Sequence, residues 1–207
     1  MPDDNTTATF NPDQLRAEAA LRKAAQAGNP EAQFRLGVMY GNGEGAALDY
    51  AQARGWFGKA AAQGHESALL TLAWMHANGV GAAVDEDSAR RLYLIAAEGG
   101  SAKAQYLVAT MYRFAQYGVE KDVATAVGWY LKAAEQGLAN AQLTLGKMIM
   151  EGKGVERDDA VALEWLTLAH INGSKRAEDY VKHLIRRMDP ATVQQVRERM
   201  TGGASTG

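Results

Sequence analysis

A motif of 36 or 37 residues occurs four times in succession, and it constrains the fold more than any other feature of the chain. The first copy begins at Ala32, continues through Leu36, Met39 and Tyr40, and enters a Gly-x-Gly loop that ends at Asp49. The same skeleton begins again at positions 68, 104 and 141. Periods of this length are typical of proteins in which each repeat is one supersecondary unit stacked on its neighbours. We therefore expect an array of short, similar units.

Each repeat is predicted to be a helical hairpin. The apolar residues of its first half are spaced along one helix face, and Ala53, Trp56, Phe57 and Ala60 follow the same rule in the second half. The loop has the form Gly-x-Gly-x-x-x-Asp, in which glycine permits the positive φ of a chain reversal and aspartate can cap the second helix. The expected caps are Asp49, Asp85, Asp122 and Asp158, and the expected helix-ending glycines are Gly64, Gly100, Gly137 and Gly173.

Two further features of the repeat concern glycine: its presence inside the first helix and its absence from the third loop. Gly37 and Gly146 lie inside the first helix, where the other copies have Ala73 and Ala109, so we expect the paired helices to approach closely there. The third copy has an inserted residue and lacks the first loop glycine within 113–118. Its loop should therefore differ from the others.

The pattern predicts an all-α solenoid of helix-turn-helix repeats with a cap at each end. The repeats are assigned to 29–64, 65–100, 101–137 and 138–173. Residues 11–28 form an N-terminal half-repeat that begins with the cap Asn11 and Pro12 at the first helical position. Residues 175–200 form C-terminal capping helices, because the exposed end of a solenoid needs a polar cover. Residues 1–10 and 201–207 are expected to be disordered tails.

Composition and charge exclude several classes of function. The chain has no cysteine, which excludes disulfide scaffolds, thiolate zinc sites and a cysteine nucleophile. Its formal net charge of −2 offers no general attraction for nucleic acid, although Lys175 to Arg199 has an excess of cations. A solvated terminal helix explains that basic end, with a phosphate-binding patch as the alternative. The sequence contains neither a signal peptide nor a membrane-spanning run, so the expected location is the cytoplasm.

The motif resembles the Sel1-like repeat (SLR) family, a relative of the tetratricopeptide repeats with a longer loop. The resemblance covers about 29–174 and includes the lysines that follow the tryptophan, Lys59 and Lys132. It departs from the family pattern at His76 and Leu92. The resemblance implies a right-handed superhelix whose concave surface binds partners, and members mostly act as adaptors in signalling, secretion or envelope regulation. One cysteine-rich branch is linked to β-lactam binding, and this chain lies outside that branch.

The sequence contains no arrangement typical of a catalytic or metal site. The four histidines do not pair at helical spacing, and the nucleophile and phosphate-loop motifs are absent. Carboxylate pairs such as Asp158 and Asp159 lie at predicted helix starts, where capping explains them. We therefore expect no enzyme activity, no cofactor and no metal.

Two columns of large residues are expected to form the core. Methionine occurs at the same place in every copy, at positions 39, 75, 111 and 148. A methionine-rich binding groove is the alternative, but an invariant place in the repeat favours packing. Trp56, Trp129 and Trp165 share another position and are expected to be buried as well.

Residues that vary between copies at one exposed position are the candidates for binding a partner. On the first helix, residue 35 and its neighbours at 31, 38 and 42 form such a stripe with their equivalents in the later copies. It contains aromatic anchors beside cations, a combination that suits a peptide with apolar and acidic residues. The alternative for Trp74 is packing against the next repeat or a loop. The predicted binding residues are Arg35, Trp74, Asn78, Leu107, Phe114 and Lys147.

The expected function is thus a protein–protein interaction scaffold or adaptor in bacterial signalling or regulation, which binds a peptide or protein through a concave surface. The alternative is a small-molecule binder or hydrolase, similar to the β-lactam-binding branch, that uses the same groove. No nucleic-acid or membrane partner is expected. The repeat specifies a shape, and neither the oligomeric state nor the identity of the partner follows from it.

Overall fold

The computed structural model describes residues 12–44 and 47–202, and this part of the chain contains eleven α-helices and no strand. The predicted all-α solenoid of helix-turn-helix repeats is confirmed. The expected cap Asn11, the loop glycine Gly45 and the tails 1–10 and 203–207 lie outside the described residues. The helices are α1 Pro12–Gln26, α2 Pro30–Asn42, α3 Tyr50–Ala61, α4 Glu66–Asn78, α5 Glu86–Glu98, α6 Ala102–Phe114, α7 Val123–Glu135, α8 Ala139–Glu151, α9 Asp159–Ile171, α10 Lys175–Arg187 and α11 Pro190–Gly202.

The described part of the chain forms two compact units, which divide between Ala89 and Arg90. In the first unit, α1 packs on α2, α2 on α3, and α3 on α4. In the second unit the same succession runs from α6 to α10, and α11 packs on α9. From α1 to α4 and from α6 to α10, helices that follow one another in the sequence are therefore neighbours, as a helical repeat requires.

The two glycines inside first helices permit close helix packing. A Cβ atom at Gly37 would lie 2.7 Å from ring carbons of Phe57, and one at Gly146 would lie 2.8 Å from Cγ of Leu166. Ala73 and Ala109 take the same position in the other two copies and are fully buried. The predicted close approach is confirmed.

The loops have the predicted caps. Backbone N–H groups of the second helices donate hydrogen bonds of 2.8 to 3.0 Å to each of the four aspartate side chains. In the third copy, Ala115 takes the place of the first loop glycine and adopts φ 54° with its N–H bonded to the carbonyl of Met111. The left-handed turn is thus retained without glycine. The aspartates are Asp49, Asp85, Asp122 and Asp158.

The aromatic core position differs from the predicted one by a single residue. Trp56, Trp129 and Trp165 are only partly buried, so the expectation that they form the core is wrong. They lie at the edge of the buried helix face, and the Lys59 and Lys132 ammonium groups are 3.8 and 4.3 Å from the indole centroids of Trp56 and Trp129. The buried position is the next residue in each copy: Phe57, Tyr93, Tyr130 and Leu166. In the methionine column, Met75, Met111 and Met148 are buried and Met39 is partly buried.

A buried glutamine connects three helices in three of the four copies, and the sequence did not predict it. Gln33 donates from Nε2 to the carbonyl of Ala25 at 3.1 Å and accepts from Gln63 at 2.8 Å. Gln105 and Gln142 make the same bonds in the third and fourth copies, with Gln136 and Asn172 as donors. The second copy has Leu69 and Gly99 at these two positions.

Both ends of the described chain are covered by helices. At the C-terminal end, α10 and α11 contribute the buried side chains Leu184 and Val196 to the core. Asp189 caps α11 by accepting from the N–H of Thr192 at 3.1 Å. Helix α11 continues through Thr201 and Gly202, so these two residues do not belong to the tail expected from 201 onward. The reason is local, because the Thr201 hydroxyl donates to the Arg197 carbonyl and the last turn remains helical.

Candidate protein-interaction surface

The variable stripe lies on the first helix of each repeat and is accessible to solvent. Trp74 is 52% exposed and Phe114 is 58% exposed, which are high values for large aromatic residues. Arg35, Asn78 and Leu107 are exposed as well. About half of the Trp74 surface is therefore exposed to solvent, and the side chain does not pack fully against a loop.

In the first unit, stripe residues of two successive copies line one small apolar cavity. Val38 and Asn42 of α2 face Thr71 and Trp74 of α4 across this cavity of about 170 Å³, and Phe57 contributes to its lining. The side-chain amide of Asn78 donates to the Trp74 carbonyl at 2.8 Å, one turn back on the helix. A cavity of this size beside an exposed indole can accept one apolar side chain.

Arg35 lies in a different and larger groove of the same unit. This groove of about 780 Å³ runs between α1 and α2, with Leu15, Leu21 and Met39 among its apolar residues. Glu31 and Arg35 provide charged groups of opposite sign in it. Arg35 and Trp74 thus line separate cavities, so each is a candidate for a separate contact.

In the second unit, Leu107 and Phe114 lie seven residues apart on α6 and share one face. Phe114 lines a cavity of about 440 Å³ whose walls include Arg113, Lys121 and Lys153. The Arg113 guanidinium carbon is 4.9 Å from the Phe114 ring centroid. Sequence reasoning missed these three cations because they come from a helix end and two different loops. The inserted residue of the third copy was the one sequence feature near them.

Lys147, the last predicted binding residue, is partly buried. Its ammonium group lies 4.8 Å from the ring centroid of Tyr180 on α10. Its charge acts on Glu151, whose pKa is lowered by a hydrogen bond from Lys153 and by the charges of Lys153, Lys147 and Arg113. The environment of Glu151 is therefore strongly cationic.

Two of the four histidines, His65 and His76, have polar contacts within the structure. His65 caps α4, since Nδ1 accepts from the Ala68 N–H at 3.2 Å, and its Nε2 is 3.0 Å from Glu31. His76 lies within hydrogen-bonding distance of Arg54. In the described residues no group of three or more histidine or acidic side chains could hold a metal ion. None of the described helices is both long enough and apolar enough to cross a membrane.

Comparison with known proteins identifies the repeats. The Sel1 repeat model matches residues 30–65, 67–101, 102–138 and 139–173. The chitin synthase regulator SKT5 of Saccharomyces cerevisiae is 43% identical over 63 residues, which are 30% of this chain and 9% of that protein.

Two solved structures of bacterial proteins are similar over most of the chain. A Sel1 repeat protein from Oxalobacter formigenes is 33% identical with a TM-score of 0.74, covering 88% of this chain and 77% of its own. The protective antigen c5321 of uropathogenic Escherichia coli, which displays an SLR fold, is 36% identical with a TM-score of 0.74. The match covers 80% of this chain, which spans about a third of c5321 and about a tenth of SKT5.

Proposed function

Because this chain belongs to the Sel1 repeat family, as its motif resemblance predicts, we propose that it is a non-catalytic scaffold that binds a peptide or protein partner. Sel1 repeat proteins are generally protein-interaction scaffolds and are typically not catalytic. In this proposal the partner contacts the variable stripe of the first helices, and no cofactor takes part. The setting that we propose is signalling or regulation in the bacterial cytoplasm.

The exposed indole of Trp74 beside the small apolar cavity is the observation that carries this proposal. Tryptophan is the residue type most often found at the energetic centre of protein interfaces, where a cavity and a surrounding rim exclude water. The cavity wall combines side chains that vary between copies with Phe57 from the constant core. Variable residues around a constant frame are what a repeat protein needs to recognise one partner.

The test begins with the tagged full chain in lysate of its native host. Co-purifying proteins are identified by mass spectrometry, and the strongest candidate is purified and titrated by calorimetry. We expect Trp74→Ala to weaken that binding by about thirtyfold, the effect of a typical interface anchor. Phe114→Ala should weaken it if the partner also reaches the second unit.

The matched control is Trp56→Ala, which removes another partly exposed tryptophan, one that lies on a second helix under the Lys59 ammonium group. It should leave the affinity unchanged. Unchanged affinity in both Trp74→Ala and Phe114→Ala would contradict the proposal that the stripe binds the partner. Fractionation of host cells tests the proposed cytoplasmic location.

A further inference from the structure

We propose that the cavity beside Phe114 is a subsite for an acidic side chain of the protein partner, one that neighbours an aromatic or large aliphatic residue. We call this site the Phe114 subsite; it is formed by Phe114, Arg113, Lys121, Lys153, Met148 and Val123. The inference rests on the proposed scaffold function and specifies the chemistry of the partner.

Positive charge is the first property of the Phe114 subsite. Three of its residues are cations, and none of the described residues that line the cavity is acidic. Glu151 forms a 2.7 Å ion pair with Lys153 and offsets one of these charges. The lining of the cavity therefore keeps a net positive charge, and carboxylates of a partner would be attracted to it.

An apolar wall is the second property. Phe114 is 58% exposed, and Met148 is buried where it borders the cavity. Arg113, whose guanidinium lies near the Phe114 ring, is a partly buried residue and therefore has fewer conformations than a free surface arginine. An aromatic or aliphatic side chain of the partner can lie against the exposed ring while an adjacent carboxylate contacts the cations.

The combination favours an acidic protein segment over nucleic acid. Binding of nucleic acid needs cations spread along a backbone path and is helped by a basic protein, whereas this chain has a formal net charge of −2. The cavity volume of about 440 Å³ corresponds to a few side chains. One carboxylate and one neighbouring apolar group account for both properties of the Phe114 subsite.

A random dodecapeptide library displayed on phage provides the probe, with the purified full chain as the target. We expect the selected peptides to contain aspartate or glutamate next to an aromatic or large aliphatic residue. Enriched peptides are then synthesised with a fluorescent label, and their dissociation constants are measured by anisotropy. The double variant Lys121→Glu/Lys153→Glu should bind them at least about tenfold more weakly, since like charges repel across the contact.

The control double variant Lys23→Glu/Lys175→Glu changes the net charge by the same amount at two exposed positions that do not line the cavity. It should bind the peptides as the unmodified protein does. Phe114→Ala should also weaken binding. Because this variant leaves the charge unchanged, it distinguishes binding in the cavity from a general effect of charge. Circular dichroism and thermal unfolding of each variant check that it is folded.

The other outcomes distinguish the inference from the proposed function. One such outcome is that the selected peptides lack acidic residues, bind Lys121→Glu/Lys153→Glu as tightly as the unmodified protein, and bind Trp74→Ala more weakly. This result would overturn the Phe114 subsite and support the proposed scaffold function. A library that yields no binding peptide would contradict both. Binding of a labelled oligothymidylate that is lost in Lys121→Glu/Lys153→Glu, without selected acidic peptides, would overturn the inference in favour of nucleic acid.

Discussion

The side-chain amide of Gln136 donates a 2.8 Å hydrogen bond to Oε1 of Gln105, which itself donates to the Ala97 carbonyl at 3.2 Å. Gln105 is only 5% exposed, so its amide is oriented by these two bonds and not by water. The bonds join the C-terminal ends of α5 and α7 to the start of α6. A buried polar side chain with both functions satisfied fixes one arrangement of its neighbours.

At position 105 a buried carboxylate is expected to cost more stability than an apolar side chain of similar size. Gln105→Leu should lower the free energy of unfolding by about 1 kcal/mol, because the Ala97 carbonyl still accepts from the Gly100 N–H and leucine fills the space. Gln105→Glu should cost more, about 2–3 kcal/mol, because an ionised carboxylate cannot donate and faces a carbonyl.

Urea unfolding followed by circular dichroism at neutral pH measures both variants. The second copy supports the mild effect of leucine, since Leu69 occupies the equivalent position and is buried. Equal stability of Gln105→Glu and the unmodified protein would show that the amide does not donate to Ala97.

A pair of alanine substitutions separates helix packing from helix propensity. Gly146→Ala should destabilise the protein by about 1–3 kcal/mol, because the new Cβ would lie 2.8 Å from Leu166 Cγ and 3.2 Å from its backbone nitrogen. Gly128→Ala, in α7, introduces a Cβ with nothing within 4 Å and should stabilise the protein by about 0.5–1 kcal/mol. Thermal unfolding should thus shift in opposite directions, and a shared direction would contradict the close helix contact at Gly146.

The left-handed turn at Ala115 is expected to be a point of strain. Ala115 has φ 54°, a conformation that costs an L-residue about 1 kcal/mol relative to glycine, so Ala115→Gly should stabilise the protein by about 0.5–1 kcal/mol. The reverse change at the equivalent place in the fourth copy, Gly152→Ala, should destabilise it by a similar amount, since Gly152 has φ 67°. Chemical denaturation of both variants measures the sign of the change in unfolding free energy. A loss of stability in Ala115→Gly would show that the turn is unstrained.

The corrected aromatic position predicts unequal effects of neighbouring substitutions. Tyr130 is 1% exposed, so Tyr130→Ala should cost about 3–5 kcal/mol. Trp129 is partly buried and packs at the edge of the same core, so Trp129→Ala should cost only about 1–2 kcal/mol, which includes the loss of its contact with Lys132. Urea unfolding of the two variants tests whether Tyr130→Ala loses more stability than Trp129→Ala. Equal losses of unfolding free energy would contradict this prediction.

The repeat made most of the fold predictable. Helix pairs, aspartate caps and the close approach at Gly37 each follow from local rules applied at a fixed period. The choice between Trp129 and Tyr130 did not, because both residues border the apolar face and only the packing of neighbouring helices decides which one is buried. Gln105 was missed for a related reason, since a polar residue becomes a core residue only when a helix end provides a carbonyl beside it.

The candidate surface was predictable in part. The spacing of the first helix placed Trp74 and Phe114 on an exposed stripe, and their exposure agrees with that interpretation. Lys121 and Lys153 belong to loops of different copies, and the shape of the loop with the inserted residue determines whether they line one cavity. Such a juxtaposition depends on tertiary geometry, which a repeat alignment does not contain.

Burial of Tyr93 predicts a loss of stability in alkaline solution. Burial, with a smaller effect of Tyr117, raises the pKa of Tyr93 to about 12 from 10.0. Between these two values the unfolded chain releases the phenolic proton while the folded protein retains it, so the stability due to this group is full below pH 10 and is lost as pH rises toward 12.

Tyr93→Phe keeps the ring and removes the proton. From neutral pH to about pH 11, the unmodified protein should therefore lose about 1 kcal/mol more than Tyr93→Phe in urea unfolding. If the free energies of unfolding of the two proteins fell in parallel over this pH range, the environment of the Tyr93 hydroxyl would not oppose its ionisation.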